Sequence, residues 1–217
     1  MKDILQAAVN LARVLRHRFW ASPRGWGQPR SLQEWENQYR SGAWDYLYSL
    51  EELDHYSVII GYLRHFFDRA EILDLGCGHG RLLDLLPPGG FECYTGVDIS
   101  TEAIRRASQL HVDGARFVTA DFETWTAVRA ADVILFNESL YYGRRPTEIV
   151  KRFLPSLKPG GKVIISMAED ARSLVIWRHL DSVLRPVHGV RLQADCGRSW
   201  NVRIFDPAPG ASTTDDA

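Results

Sequence analysis

Residues 72–80 read ILDLGCGHG, and the organisation of the chain follows from them. A short apolar strand ends at Asp74, and three glycines then alternate with other residues before a helix begins. Glycines permit a tight turn and allow a ligand to lie against main-chain N–H groups. The spacing Gly-x-Gly-x-Gly differs from the Gly-x-Gly-x-x-Gly of a dinucleotide site. Because a carboxylate at Asp74 repels a pyrophosphate and attracts an ammonium group, this stretch predicts a ligand with an amino-acid moiety.

The composition is that of an ordinary globular protein. The 217 residues suit one α/β domain with a single sizeable core, and 45% of them are hydrophobic. The formal net charge of -1 provides no overall field that would attract nucleic acid or an acidic membrane. No Cys-x-x-Cys pair occurs, so we predict reduced structural cysteines and no metal site; the cysteines are Cys77, Cys93 and Cys196.

From the sequence we expect neither a signal peptide nor a membrane span. Asn10 and Arg13 interrupt the first apolar run, and a basic cluster at residues 16–18 follows it, which argues against a signal peptide. No stretch approaches the roughly 20 apolar residues of a membrane span. We therefore expect a cytoplasmic protein with no membrane partner. Residues 3–18 show helical periodicity, and residues 207–217 are expected to form a disordered tail.

Strands and helices alternate from residue 71 onward. Strands are predicted at 71–75, 93–97, 115–119, 131–136 and 162–167, with helices at 79–86, 100–110, 145–157 and 170–184. This alternation predicts a parallel sheet with right-handed crossovers, and residues 187–195 and 199–206 add an antiparallel hairpin. Upstream, Ser31 and Glu34 predict a capped helix through Arg40. We predict a Rossmann-like α/β fold with a mostly parallel seven-stranded sheet: a helical lid over 1–70, a core over 71–206 and a tail over 207–217.

Candidate binding residues stand where the predicted strands end. Asp98 ends the second strand, where an acidic residue accepts hydrogen bonds from ribose hydroxyls, and Ile99 would lie against an adenine. Phe122, after the third strand, would flank the same ring. Ligands of open α/β sheets bind beyond the carboxyl ends of the strands, so these segments and Asn137 are predicted to meet at one crevice. Asp98 and Asp121 also have an alternative role that involves no ligand, because an aspartate after a strand suits a turn or a helix cap.

Taken together, these segments resemble the class I S-adenosylmethionine (SAM) methyltransferases, over residues 31–206. The glycine-rich motif is generic to that superfamily. The sequence NESLYY, residues 137–142, more specifically resembles the motif of nodulation-factor N-methyltransferases, which methylate an amino group of a chitooligosaccharide. Residues 35–46 are richer in aromatic side chains than that group leads us to expect, which leaves the acceptor open.

The resemblance implies a SAM site. It implies that Asp121 receives the adenine amino group and that Tyr39, in the lid, reaches the methionine carboxylate. Tyr39 also suits plain packing with Trp35 on one helix face. The cofactor-binding residues predicted in this way are Tyr39, Asp74, Gly76, Cys77, Gly78, Gly80, Asp98, Ile99, Asp121, Phe122 and Asn137.

Methyl transfer from a sulfonium is an in-line displacement, so the enzyme chiefly positions the reactants. An amine acceptor must also lose a proton, which calls for a base. Glu138, at the tip of the fourth strand, is the predicted base, although it could instead bind the following loop. Tyr141 is predicted to line the acceptor site, or else to pack. His55 is an alternative base, or else a structural residue.

The predicted function is SAM-dependent methylation of a small-molecule amine, such as an amino sugar or a natural-product intermediate. The alternatives are O-methylation of a small molecule, RNA methylation, and SAM binding without transfer. RNA methylation is favoured by a basic and aromatic patch in the first 30 residues. The patch consists of Arg13, Arg16, Arg18, Arg24 and Arg30, with Trp20 and Trp26 between them. The near-zero net charge and the absence of a Pro-Pro-Tyr-type motif after Glu138 argue against a nucleic-acid partner. A monomer and a homodimer both remain open.

Overall fold

A computed structural model describes residues 27–208 of the chain. The strands are β1 Ala70–Leu75, β2 Phe91–Asp98, β3 Ala115–Thr119, β4 Ala131–Asn137, β5 Leu157–Ala168, β6 Leu184–Gln193 and β7 Ser199–Pro207. The α-helices are α1 Leu32–Arg40, α2 Leu53–Phe66, α3 Arg81–Leu85, α4 Thr101–Ser108, α5 Pro146–Phe153 and α6 Ala171–Leu180. The helix predicted over 3–18 and residues 209–217 of the predicted tail lie outside the described residues.

The seven strands form one sheet in the order β3-β2-β1-β4-β5-β7-β6. Strands β1 to β5 run parallel, and β7 is antiparallel to both β5 and β6. This confirms the predicted fold class. The strand order reverses between β1 and β4, and crevices at such reversals bind ligands. Asp74 in β1 is level with Gly96 in β2 and Leu135 in β4, so the carboxyl ends of these strands meet there.

Helices cover both faces of the sheet. On one face, Phe136 packs with Phe153 of α5 and Trp177 of α6. On the other face, Leu135 packs with Ile59 of α2. Because neighbouring residues of a strand point to opposite faces and both faces are buried, the central strands read as nearly continuous apolar runs.

Several predicted boundaries were wrong by a few residues. The chain leaves α5 after Phe153 and forms a short 3-10 turn at Leu154–Ser156, because Pro155 cannot donate a helical hydrogen bond. Strand β5 begins at Leu157, which already pairs with Ala131 of β4 before an irregularity in the register. The glycines at 160–161, predicted as a turn, therefore lie inside this strand. Strand β6 likewise begins at Leu184, within the end of a predicted helix.

The described part of the segment predicted as a lid, which we call the lid segment or lid, contains α1, two short 3-10 turns at Asp45–Tyr48 and Leu50–Glu52, and α2. The predicted cap of α1 is confirmed: the hydroxyl of Ser31 accepts from the N–H of Glu34 at 3.2 Å, and the Glu34 carboxylate accepts from the N–H of Ser31 at 2.7 Å. Glu36 ties the lid to the core, because its carboxylate accepts from the N–H of Thr101 at 2.6 Å at the start of α4.

Candidate functional site

A cleft of about 2170 Å³ lies between the lid and the carboxyl ends of the parallel strands. The glycine-rich loop, the ends of β1, β2 and β4, and the aromatic side chains of the lid all line it. The predicted site residues that reach this cleft are Tyr39, Asp74, Gly76, Cys77, Gly78, Asp98, Ile99, Asp121, Phe122, Asn137, Glu138 and Tyr141. The structure thus brings together residues from distant parts of the sequence.

Gly76 and Gly78 of the loop have close neighbours at the position where a side chain would begin. Gly76 and Gly78 have φ angles of 83° and 55°, which L-residues with side chains rarely adopt. A Cβ on Gly76 would lie 2.4 Å from the Cβ of Ser139, and one on Gly78 would lie 3.0 Å from the hydroxyl of Tyr39. The glycines therefore let the loop bend and let the lid and the end of β4 come close to it.

The main-chain donors of this loop bind inside the protein. The N–H groups of Gly76 and Cys77 donate to the carbonyl of Val97 at 2.7 and 3.0 Å, and the N–H of Gly78 donates to the Asp98 carboxylate at 2.9 Å. The expectation that a ligand lies directly against these N–H groups is therefore wrong for these three donors. Their use also makes the loop a poor cradle for a pyrophosphate.

Asp98 is buried at the end of β2. Its second oxygen accepts from the N–H of Ser100 at 2.9 Å, while Ser100 itself caps α4 by accepting from the N–H of Ala103 at 3.2 Å. Burial raises the pKa of Asp98 to about 6. Each carboxylate oxygen has more than one acceptor site, so Asp98 holds the loop and still has lone pairs available for a ligand.

Asp74 has one oxygen bound and one without a partner. The hydroxyl of Tyr94 donates to Oδ2 at 2.5 Å, whereas Oδ1 is buried and has no hydrogen-bond partner among the described residues. Burial raises the pKa of Asp74 to about 7. The Oδ1 atom of Asn137 is also buried without a partner in the described structure. Because buried acceptors without donors are costly, these two atoms mark a place for a donor such as an ammonium group.

Glu138 is held in one orientation by three hydrogen bonds. Its carboxylate accepts from the hydroxyl of Ser166 at 2.7 Å, the N–H of Ala168 at 2.8 Å and the hydroxyl of Tyr141 at 3.0 Å. Its φ angle is 54°, an unusual value for a residue with a side chain, and such strain clusters at functional sites. Burial raises the pKa of this carboxylate. The arrangement fits a base fixed at the edge of the cleft, and it also includes the loop contact that we considered as an alternative.

Aromatic rings of the lid form the roof of the cleft. Trp44 stacks on Trp35 and Tyr39, with ring centroids 5.7 and 5.9 Å apart. Tyr142 meets Trp35 edge-on at 4.7 Å. The imidazole of His79 approaches the carbonyl of Trp44 at 3.3 Å, which joins the glycine-rich loop to the lid.

The residues that follow β3 line another part of the cleft. Phe122 is half-buried and meets Phe136 edge-on at 6.2 Å. Asp121 is exposed, and its carboxylate accepts from the N–H of Glu123 at 2.8 Å, so it does form the turn that we considered as an alternative. Ile99 is half-buried beside them in the lining of the cleft. Apolar surfaces and a carboxylate therefore lie together in this part of the cleft.

The structure places His55 and Gly80 outside the lining of the cleft. His55 is fully buried and stacks on Trp200 with ring centroids 5.4 Å apart, and burial lowers its pKa to about 3. Gly80, with φ 81°, precedes α3, and a Cβ there would lie 2.8 Å from Leu110. His55 does not join the group around Glu138, and Gly80 serves the packing of α3 against its neighbours.

Sequence reasoning missed two contributors to the site. One is Ser166, which lies two residues before the end of β5 and thus at the same edge of the sheet as Asn137, with which it pairs. The contact of the His79 imidazole with the carbonyl of Trp44 was also missed, because no short-range pattern in the sequence shows it. Within residues 27–208, no cluster of histidine, cysteine or carboxylate side chains is arranged to hold a metal ion. None of the helices in this part of the chain combines the length and apolarity needed to cross a bilayer.

Solved structures with the same fold include the N-methyltransferase NodS from Bradyrhizobium japonicum in complex with S-adenosylhomocysteine. It has a TM-score of 0.70 and 20% identity, covering 82% of this chain and 98% of NodS. The 1,6-didemethyltoxoflavin N1-methyltransferase of Burkholderia thailandensis has a TM-score of 0.66 and 19% identity, covering 80% of this chain and 85% of that one. At these identities the similarity shows the fold alone.

Sequence relatives include two trans-aconitate 2-methyltransferases. The one from Delftia acidovorans is 34% identical over 103 residues, or 46% of this chain and 38% of the relative. The one from Paracidovorax citrulli is 31% identical over 144 residues, or 64% of this chain and 50% of the relative. The matched region thus spans half or less of these relatives. The profile of the methyltransferase domain matches residues 60–203, more than half of the chain. The chain therefore belongs to the methyltransferase domain family.

Proposed function

We propose that this protein is a SAM-dependent methyltransferase that acts on a small molecule, with an amine nitrogen as the acceptor. The observation that carries the proposal is the placement of three buried or half-buried carboxylates, Asp74, Asp98 and Glu138, at adjacent strand ends in one cleft. The family supports methyl transfer in general. The N-methyltransferase NodS shares the fold, and its name supports nitrogen as the acceptor atom.

The cleft fits SAM on the evidence of its own atoms. The unpartnered Oδ1 of Asp74 suits the methionine ammonium, and the free lone pairs of Asp98 suit the ribose hydroxyls. Ile99 and Phe122 would flank the adenine, with Asp121 near its amino group. The hydroxyl of Tyr39, beside the glycine-rich loop, would bind the methionine carboxylate. Gly76, Cys77 and Gly78 would supply the close backbone surface, and Asn137 a further acceptor for the ammonium group.

When bound, SAM supplies a methyl group on a positively charged sulfur for in-line transfer to a nucleophile. The chain's own contribution is positioning and exclusion of water. The rings of Trp35, Tyr39 and Trp44 cover the cleft, and Tyr142 extends this cover toward Glu138. A roof of this kind limits the approach of water to the place of transfer.

Glu138 would take the proton from the acceptor amine. Its raised pKa makes it a stronger base than an exposed carboxylate, and its three hydrogen bonds fix the direction of its remaining lone pair. Tyr141, whose hydroxyl donates to Glu138, would line the acceptor side. His55 lies outside the lining of the cleft, so we assign it no part in proton transfer.

A carboxylate oxygen is the second candidate acceptor. The three hydrogen bonds to Glu138 leave few of its lone pairs free for a proton, and a carboxylate acceptor is already ionised at neutral pH, so it needs no base. Relatives named trans-aconitate 2-methyltransferases point the same way. The two candidates give different products, because alkali cleaves a methyl ester and leaves an N-methyl group intact.

The test is calorimetric titration with SAM and S-adenosylhomocysteine, followed by a screen with SAM labelled in the methyl group. The screen covers amines, amino sugars, carboxylic acids, hydroxylated compounds and RNA. Alkali-stable label on an amine supports the proposal, and alkali-labile label on a carboxylic acid supports the second candidate. Binding with no transfer to any class would indicate a SAM-binding protein, and absence of binding would overturn the function altogether.

A further inference from the structure

Four arginines line the same cleft as the Tyr141–Tyr142 pair. The guanidinium of Arg30 lies over the rings of Trp35 and Tyr142, 5.6 and 5.5 Å from their centroids. The guanidinium of Arg172 lies over Tyr141 at 5.6 Å. The remaining two, Arg144 and Arg145, follow the tyrosines in the chain, and all four line the cleft. We call these four residues the arginine rim.

A backbone contact brings the two halves of the rim together. Residues 27–30 run beside residues 141–143: the N–H of Gln28 donates to the carbonyl of Tyr141 at 2.8 Å. At the same place a Cβ on Gly27 would collide with the carbonyl oxygen of Gly143, at 1.5 Å, so only glycine permits this approach. Arg30 therefore enters the cleft next to the loop that carries Arg144 and Arg145.

Two members of the rim have a carboxylate partner, and two have none. Arg172 pairs with Asp170 at 2.7 Å, and Arg144 approaches Glu123 at 3.9 Å. Among the described residues, the side chains of Arg30 and Arg145 make no ion pair and no hydrogen bond. A guanidinium that stacks through its face keeps its N–H donors at the edge, where they match a carboxylate or a phosphate. Within residues 27–208, therefore, neither of these two guanidinium groups is paired with a carboxylate, and Arg30 interacts with the Glu34 carboxylate only beyond ion-pair distance.

The rim adjoins the reacting end of the cleft without being part of it. Tyr141 connects the two, since its hydroxyl donates to Glu138 at 3.0 Å and its ring carries Arg172. An acceptor whose reacting atom is at Glu138 and which lies along the two tyrosines would extend to Arg30 and Arg145. The charges therefore suit a group of the acceptor that does not react.

We propose that Arg30 and Arg145 form an anion subsite that binds a carboxylate or phosphate group of the methyl acceptor, away from its reacting atom. This inference rests on the proposed function and narrows it: the acceptor is an anionic small molecule rather than a neutral amine or sugar. The subsite sets specificity through charge and geometry, while Glu138 remains at the reacting end. The inference holds whether nitrogen or oxygen accepts the methyl group, because the anion that the subsite binds is not the methylated group.

The test uses the whole chain saturated with S-adenosylhomocysteine and titrates it calorimetrically, at low ionic strength, with malonate and with inorganic phosphate. We expect at least one probe to bind, and the tighter one identifies the anion as carboxylate or phosphate. Arg30→Gln and Arg145→Gln should each weaken that binding about tenfold, because each removes charge-assisted hydrogen bonds. Arg185→Gln is the matched control, since Arg185, on β6, pairs with Asp206 of β7 and lies outside the lining of the cleft.

The outcomes separate this subsite from the function on which it rests. Loss of S-adenosylhomocysteine binding in the unmodified protein would overturn the proposed function. Normal binding of it, with neither probe bound or with equal weakening by Arg185→Gln, would overturn only the subsite. A single-stranded RNA that binds more tightly than both probes and loses affinity in Arg30→Gln would replace the small anion with a nucleic acid. With an acceptor in hand, both subsite variants should raise KM and leave kcat unchanged.

Discussion

Asp98 has two tasks in the same carboxylate. It receives the N–H of Gly78, which holds the glycine-rich loop, and it keeps lone pairs for a ligand. We expect Asp98→Ala to weaken SAM binding roughly ten- to a hundredfold, since hydrogen bonds to a charged group contribute about 1.5–3 kcal/mol. Calorimetric titration measures this directly. Asp113→Ala, an exposed carboxylate lost from a loop, is the control, and equal affinities of the two variants would remove Asp98 from the site.

A substitution at Glu138 should separate the effect on SAM binding from the effect on methyl transfer. Glu138→Gln keeps the shape of the side chain: its amide oxygen can accept from the N–H of Ala168, and its NH₂ group can donate to the hydroxyl of Ser166. SAM affinity should therefore stay within about twofold of the unmodified protein. Turnover of an amine acceptor should fall by about 10²–10⁴, the usual contribution of a general base. Glu148→Gln, on the exposed face of α5, controls for the change in charge. Full activity of Glu138→Gln would leave this carboxylate a structural role and favour an acceptor that is already ionised.

At the scale of an element, the loop between β1 and α3 depends on glycines, because a side chain at their positions would strain the backbone or meet a neighbour. Gly78 and Gly160 both have positive φ angles, 55° and 78°, but only Gly78 faces a neighbour at the position of a Cβ. Both Gly→Ala variants should lose about 1–2 kcal/mol of unfolding free energy through backbone strain. Only Gly78→Ala should also weaken SAM binding, because the added methyl meets the hydroxyl of Tyr39. Thermal unfolding and titration of the two variants measure these effects separately, and equal SAM affinities would contradict a role for the close approach.

How far the sequence could predict these elements depends on the range of their interactions. The cap of α1 by Ser31 and Glu34 is local, and it was predicted correctly. The central strands β1 and β4 were predictable because both of their faces are buried. The end of α5 and the early start of β5 were not, because the pairing of Leu157 with Ala131 depends on the register of the sheet.

The same distinction between local and long-range interactions decides which site residues could be predicted. Asp74 and Asp98 stand at strand ends that a parallel topology brings together, so the sequence pointed to them. Two of the three partners of Glu138, Ser166 and Ala168, come from β5. Arg30 reaches Tyr142 only because residues 27–30 run beside residues 141–143. No local pattern contains these contacts. His55 shows the opposite error: its position near other polar residues suggested a base, whereas packing against Trp200 buries it.

At the scale of the whole molecule, the buried carboxylates and histidines should shape stability in opposite ways. The pKa of Asp74 is raised to about 7 and that of Asp98 to about 6, so between about pH 4 and 7 the folded protein holds more protons at these groups than the unfolded chain. Their contribution to stability is present in acid and is lost as the pH rises through these values. His55, with its pKa lowered to about 3, works the other way, and its contribution is lost as the pH falls below its unfolded value.

The contribution of Asp74 to the stability of the unliganded protein should therefore grow as the pH falls from about 8 to 6.5 and should be absent from Asp74→Asn, whereas His55 and His79, whose pKa values burial lowers, oppose this trend equally in both proteins. SAM should reverse it, because an ammonium group binds the ionised carboxylate and lowers its pKa. The stabilisation by SAM should accordingly be larger at about pH 8 than at about pH 6, and Asp74→Asn should show a smaller stabilisation that hardly changes with pH. Thermal unfolding midpoints of both proteins, with and without SAM across this range, test the assignment. An unchanged pH trend in Asp74→Asn would mean that the unpartnered oxygen of Asp74 is not where the ammonium group binds.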